Sequence, residues 1–103
     1  NNPDSVVELQ LKHKNFHIVK DKLHLFKNLQ RLSLSKFNSS DTTFLSGLKS
    51  LKELRIEVDS LTEVPSSIVE LKDLELLSIN GPITSLPEGL YTLTKLKELD
   101  LGA

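Results

Sequence analysis

The chain of 103 residues contains no cysteine. Disulfides, a thiolate nucleophile and a cysteine-ligated zinc site are therefore excluded. Its four glycines are scattered, so they form none of the phosphate-binding loops that need several glycines close together. Sequence motifs typical of serine hydrolases and zinc peptidases are also missing. The sequence therefore predicts no catalytic residue, no enzymatic activity and no cofactor.

The chain also lacks a dominant charge and a long apolar run. Its 13 Lys and Arg residues nearly balance 14 Asp and Glu residues, which leaves a net charge of -1 and predicts no nucleic-acid partner. No apolar run approaches the roughly 18–20 residues that span a bilayer, so no membrane span is predicted. Apolar residues still make up 38% of the chain, which is enough for one domain with a core.

A short pattern, apolar-x-x-apolar-x-apolar, recurs along the chain at nearly constant spacing. Its copies start at positions 6, 29, 51, 74 and 96, which are 22 or 23 residues apart. The alternation at its end is typical of a strand with one buried face. In "KELRIE", Leu54 and Ile56 are predicted to point inward, and Glu53, Arg55 and Glu57 outward. We therefore predict a single repeat domain, 1–103, with a partial unit at its end.

The second half of each unit must return the chain to the start of the next strand. In the third unit Leu61, Val64, Ile68 and Leu71 have a 3-4-3 spacing, which predicts a turn of helix or 3₁₀ helix. Pro65 fixes φ near the start of this turn. Strands that return to the same side after about 22 residues form a parallel sheet, and the units stabilise one another by stacking.

This pattern resembles the leucine-rich repeat family, whose unit reads L-x-x-L-x-L-x-x-N-x-L-x-x-L-P-x-x-I-x-x-L. The matching residues of the third unit are Leu51, Leu54, Ile56, Leu61, Val64, Pro65, Ile68 and Leu71. The resemblance covers nearly the whole chain and implies an α/β leucine-rich repeat solenoid. Such a solenoid is a short right-handed horseshoe segment, with the parallel sheet on its concave face and short helical or 3₁₀ turns on its convex face. The L-x-x-L-P-x-x-I form is most similar to bacterial leucine-rich repeat proteins.

The family's asparagine, whose side chain bonds to the backbone in the turn after the strand, is missing from this chain. The corresponding positions hold Lys14, Phe37, Asp59 and Pro82. Only Asp59 can accept similar hydrogen bonds, so we expect these turns to be less regular than in the family.

The second unit, "SKFNSSDTTFLSGL", departs furthest from the pattern, because Asn38 and Asp41 stand at two of its apolar positions. We expect Phe37 and Phe44 to fill the space, and Asp41 to cap a short helix that begins at Thr42. This stretch is either a degenerate repeat with a polar loop or a binding loop.

His13 and His17 are four residues apart, a spacing that suits a metal ion if both lie on a helix. The repeat instead places His13 at the exit of the first strand and His17 in the following turn. With no third ligand in the pattern, we predict a solvated pair and no metal site.

The resemblance implies that a ligand binds to the concave face of the sheet, through the variable strand positions. The predicted binding residues are Arg31, Ser33, Glu53, Arg55, Glu57, Leu76, Ser78, Glu98 and Asp100. The row Glu8, Arg31 and Glu53 alternates in sign, which favours self-neutralisation over ligand binding. Leu76 is predicted to be an exposed aliphatic between Glu53 and Glu98. It is either an ordinary exposed leucine or the anchor of a protein-binding patch, with Arg55 as the polar contact.

Neither end of the chain matches a complete solenoid. The chain starts at Asn1 without a signal peptide, so we expect a processed product or a fragment. "LKELDLGA" reads as a strand without a helical return, so Leu96, Leu99 and Leu101 would be covered from one side only. Either a longer solenoid continues there, or a second copy covers the strand edge in a homo-oligomer.

The resemblance implies a non-catalytic protein–protein interaction module whose concave face binds a protein or peptide. It further implies a bacterial protein that contacts host molecules, secreted or on the cell surface. Two alternatives remain open. One is the repeat segment of a larger receptor, such as a plant-type intracellular immune receptor, and the other is the substrate-recognition part of an enzyme whose catalytic domain lies elsewhere.

Overall fold

The computed structural model describes residues 3–37, 43–59 and 61–102, in which five short strands form one parallel sheet. The strands are β1 (Glu8–Lys12), β2 (Arg31–Phe37), β3 (Glu53–Val58), β4 (Leu76–Asn80) and β5 (Glu98–Asp100). They pair in chain order, each strand parallel to the one before it. The predicted parallel sheet is therefore confirmed.

Short helices precede the first strand and, on the convex face, connect each strand to the next. The 3₁₀ helices are η1 (Pro3–Ser5), η2 (Lys20–Leu25), η3 (Thr43–Gly47), η4 (Ser66–Glu70) and η5 (Glu88–Thr92), and one α-helix, α1 (His13–Val19), precedes η2. Pro65, with φ -59°, directly precedes η4 as predicted. In the described part of the chain, no helix has the length and apolar character that a membrane crossing requires.

The strands after β1 all begin with the same pair of backbone hydrogen bonds. At β3, the N–H groups of Lys52 and Glu53 both donate to the carbonyl of Gln30, at 2.7 and 2.9 Å. The corresponding acceptors are the carbonyls of Val7 for β2, Lys52 for β4 and Glu75 for β5. This repeated pattern fixes the register of each unit on the one before it.

The core lies between the sheet and the convex helices and is aliphatic. On β3, Leu54 and Ile56 are buried while Arg55 and Glu57 are exposed, as the alternation predicts. Ile68 fills the same space from the opposite side and is also buried. Among the residues that the structure describes, no polar or charged side chain is buried. The stack is therefore held together mainly by hydrophobic burial between units.

The first return differs from the prediction, because α1 follows β1 directly. His13 and His17 both lie on this helix, so the placement of His17 in a turn was wrong. Phe16 on α1 and Leu23 on η2 are buried, and Val19 between them is half-buried, so this return packs one apolar side against the core. Within the described ranges, no group of three or more His, Cys, Asp or Glu residues could hold a metal ion.

The second unit packs against the first through Phe44. Phe44 is half-buried, and its ring centroid lies 4.8 Å from that of Phe16 with the ring planes at 57°. Phe44 therefore fills space as predicted. The predictions for the Phe37 side chain, for Asn38 and Asp41, and for a helix start at Thr42 lie outside the described residues.

The last strand is covered less completely than the others. Leu99 on β5 is 43% exposed, whereas its neighbour in register on β4, Leu77, is fully buried. Leu96 and Leu101 are half-buried. The prediction that these leucines are covered from one side only is therefore confirmed.

Candidate functional site

The concave face carries the variable side chains in rows that run across the strands. The first row is Glu8, Arg31, Glu53, Leu76 and Glu98, and the second is Gln10, Ser33, Arg55, Ser78 and Asp100. A third row pairs Lys12 with Ser35, and Glu57 with Asn80. The structure thus brings every predicted binding residue onto one face, about 19 Å across from β1 to β5.

Two ion pairs neutralise much of the first row. The Arg31 Nε atom lies 3.1 Å from Glu8 Oε1, and the Arg55 Nη1 atom lies 3.0 Å from Glu53 Oε1. Self-neutralisation is therefore confirmed between Glu8 and Arg31. Glu53, in contrast, pairs along its own strand and not with Arg31. The row consequently presents little net charge between β1 and β3.

The Glu8–Arg31 pair provides a test of the geometry of this row. The hydrogen bond from Arg31, aided by one from Gln10 and by the guanidinium charge, holds the pKa of the Glu8 carboxyl below its ordinary value. Since the folded-state pKa is lowered, the pair stabilises the fold above the unfolded-state pKa and loses this effect as the pH falls through the folded-state pKa. We expect Arg31→Gln to raise the pKa of Glu8, as measured by an NMR titration that follows the side-chain carboxyl carbon of Glu8.

Asp73 supplies the control for that titration. Its carboxyl accepts a hydrogen bond from Lys95 at 2.8 Å, which lowers the pKa of Asp73 at a site outside the concave face. Arg31→Gln should leave the pKa of Asp73 unchanged. An unchanged pKa of Glu8 in the variant would mean that the pair does not form in solution.

Leu76 is less exposed than the sequence predicts, because it is half-buried on β4. The predicted exposed aliphatic is therefore exposed only in part. Glu53 and Glu98 are its neighbours in register, about 4.8 Å away on either side. Leu76 still contributes apolar surface in the middle of an otherwise polar face.

The end of β2 is irregular, as expected from the missing asparagine. The pairing of β2 with β3 shifts register between Leu34 and Phe37, and Lys36 has φ 52°, a left-handed conformation that is uncommon outside glycine. The Lys36 N–H donates to Glu57 Oε1 at 3.2 Å. The carboxylate that binds the turn after β2 is therefore that of Glu57. In the turn after β3, Asp59 accepts no hydrogen bond from the described part of the chain, so the bonds expected of it are not formed there.

A feature that sequence reasoning missed is a groove across the carboxyl ends of the first four strands. It consists of three adjoining depressions of about 330, 220 and 340 Å³. The first two share Ser33 and Ser35, and the last two share Glu57 and Asn80. We call these three adjoining depressions the strand-end groove. In the sequence, the residues that could have indicated this groove are those of the third row together with Lys14 and Asp59, which follow β1 and β3.

The repeated strands, the convex helices and the rows of variable side chains define the class of fold: the chain forms a leucine-rich repeat solenoid. No protein-family model matches the chain. No solved structure matches it either. The relatives found by sequence comparison are mammalian receptors.

The chain is similar to Toll-like receptor 9 of Sus scrofa, with 34% identity over 116 aligned residues that include 97% of this chain and 11% of the receptor. It is also similar to Toll-like receptor 9 of Ovis aries and of Bos taurus, with 45% and 43% identity over 58 residues, or 56% of this chain and 6% of each receptor. The chain therefore spans about a tenth or less of the length of these relatives. These similarities support the leucine-rich repeat family, and they give no support to a bacterial origin.

Proposed function

We propose that this chain is a non-catalytic recognition segment whose concave face binds a protein or peptide. The observation that carries the proposal is the concave face itself, where both signs of charge surround the half-buried aliphatic Leu76. A face of this composition matches polar interfaces that are organised around a few apolar anchors. Its width of about 19 Å suits a peptide or a single loop of a partner.

The relatives favour one form of this proposal, in which the chain acts as a segment of a larger receptor. The proteins it resembles are themselves receptors and are far longer than this chain. A secreted bacterial protein that contacts a host is the weaker alternative, because the relatives are mammalian. In a receptor, neighbouring units would extend the binding face beyond the five strands described here.

The test uses Leu76→Ala and Arg55→Ala, which change the concave face only. Proteins captured by the immobilised chain from a cell extract are identified by mass spectrometry, and the affinity of one purified binder is then measured. We expect each substitution to weaken binding by about tenfold, the effect of losing an interface residue worth just over 1 kcal/mol.

The matched controls are Ile18→Ala and Tyr91→Ala on the convex helices α1 and η5, where both side chains are about three-quarters exposed. These variants should bind with unchanged affinity, and all four variants should give folded-protein spectra. If the convex substitutions weaken binding and the concave substitutions do not, the concave face is not the recognition surface.

A further inference from the structure

The strand-end groove has charges of opposite sign at its two ends. Lys12 and Lys14 line the depression at β1, and Glu57 and Asp59 line the depression at the far end. Between them the lining is mostly neutral, with hydroxyl and amide side chains such as Ser35. The groove is therefore basic at one end and acidic at the other.

The end charges are available to a ligand, unlike most charges of the first row. In the described residues, Lys12, Lys14 and Asp59 form no ion pair and no side-chain hydrogen bond, and Glu57 accepts only the Lys36 N–H. Arg55, the other charged residue in the groove, is already paired with Glu53. A partner that supplies opposite charges at both ends would therefore displace no ion pair.

The spacing of the strands sets the length of such a partner. The two charged ends of the groove lie at β1 and at the end of β3, about 10 Å apart across two strand spacings. An extended chain covers this distance with about three residues, at about 3.3 Å per residue. The complementary ligand is thus a short segment with acidic residues at one end, small polar residues in the middle and basic residues at the other end.

We propose that the strand-end groove binds an extended peptide segment that is acidic at one end and basic at the other. The acidic end lies over Lys12 and Lys14, and the basic end lies over Glu57 and Asp59. This inference rests on the proposed function, since it specifies the chemistry of the partner that the concave face recognises. A purely anionic ligand, such as a nucleic acid, is disfavoured because the carboxylates at the far end would repel it.

The probe is the capped hexapeptide Asp-Asp-Ser-Ser-Lys-Lys, titrated into the isotopically labelled chain and followed by NMR. We expect saturable shifts of the backbone N–H signals of Ser35 and Asn80. The isomer Asp-Lys-Ser-Ser-Asp-Lys has the same composition and net charge, but neither of its ends carries a net charge. It should bind about tenfold more weakly, because it loses the charge complementarity at both ends.

Charge reversal tests which residues hold the two ends. Lys12→Glu/Lys14→Glu should weaken hexapeptide binding by about tenfold or more. Lys20→Glu/Lys22→Glu on η2 changes the net charge equally on the convex side and should leave binding unchanged. Adding Glu57→Lys/Asp59→Lys to the first variant restores a groove with opposite charges at its two ends. The same hexapeptide should then bind again, in the reverse orientation.

Three outcomes would overturn the proposal. The first is equal binding of the two isomers, and the second is equal loss of binding in the two double variants. The third is tighter binding of a single-stranded oligonucleotide of similar length at Lys12 and Lys14, which would make the groove a polyanion site. The proposed function is judged separately: it fails if Leu76→Ala and Arg55→Ala leave protein binding unchanged, whatever the hexapeptide does.

Discussion

Replacing Leu54 by alanine is expected to lower the free energy of unfolding by about 2–5 kcal/mol. Leu54 is fully buried on β3, the central strand, where it lies in register with Leu32 and Leu77. Because the units are stacked, the cavity would weaken contacts on both sides of β3. Chemical denaturation followed by circular dichroism measures the loss. For a chain of this size, a shift of the melting temperature by about 4–8 °C per kcal/mol should accompany it.

Leu76→Ala is the matched control, since it removes the same atoms from the opposite face of the sheet. Leu76 is only half-buried, so its loss should cost clearly less than that of Leu54. Equal destabilisation by the two substitutions would mean that the concave face is packed against something, and the assignment of the two faces of the sheet would then be wrong.

Gly81→Ala is expected to destabilise the fold by about 1–3 kcal/mol. Gly81 directly follows β4, and a Cβ atom added to it would lie 2.6 Å from the carbonyl oxygen of Val58 and 3.1 Å from its Cγ1 atom. Since the close neighbour is backbone at the end of β3, the two units must move apart to admit the methyl group. The cause is a lack of space and not backbone conformation, because no described glycine has a positive φ.

Gly47→Ala provides the comparison for this prediction. A Cβ atom at Gly47, the last residue of η3, would meet nothing within 4 Å. The substitution should therefore be neutral or stabilise the fold by up to about 1 kcal/mol, because alanine restricts the unfolded chain. The melting temperatures of the two variants, compared with that of the parent protein, test this prediction. A Gly81→Ala protein as stable as the parent would contradict the close approach of the two units.

The rows of the concave face could be predicted from the sequence, because the same alternating strand pattern recurs at a nearly constant spacing along the chain. A strand with alternating apolar residues has only two faces, and a spacing of 22 or 23 residues stacks like positions side by side. The register of Arg55 with Ser33 and Ser78 follows from these two facts alone.

Other features depend on contacts that a repeat pattern does not contain. The helix α1 stands where the pattern predicts a turn, and its Phe16 packs against Phe44 of the next unit, 28 residues further along the chain. The half-burial of Leu76 is also absent from the pattern, which only places this residue on the concave face. The strand-end groove arises where the strands end, and strand ends are set by turns such as that at Lys36, which departs from the family pattern.

The purely apolar core has a consequence for how such a chain changes length during evolution. Since none of the described polar side chains is buried, duplicating or deleting one whole unit would leave no donor or acceptor stranded inside. The new neighbours would meet through leucines and isoleucines and could reuse the same strand-entry hydrogen bonds. Gene rearrangements of one unit would therefore be tolerated, and each added unit would bring a fresh set of surface side chains for selection to act on.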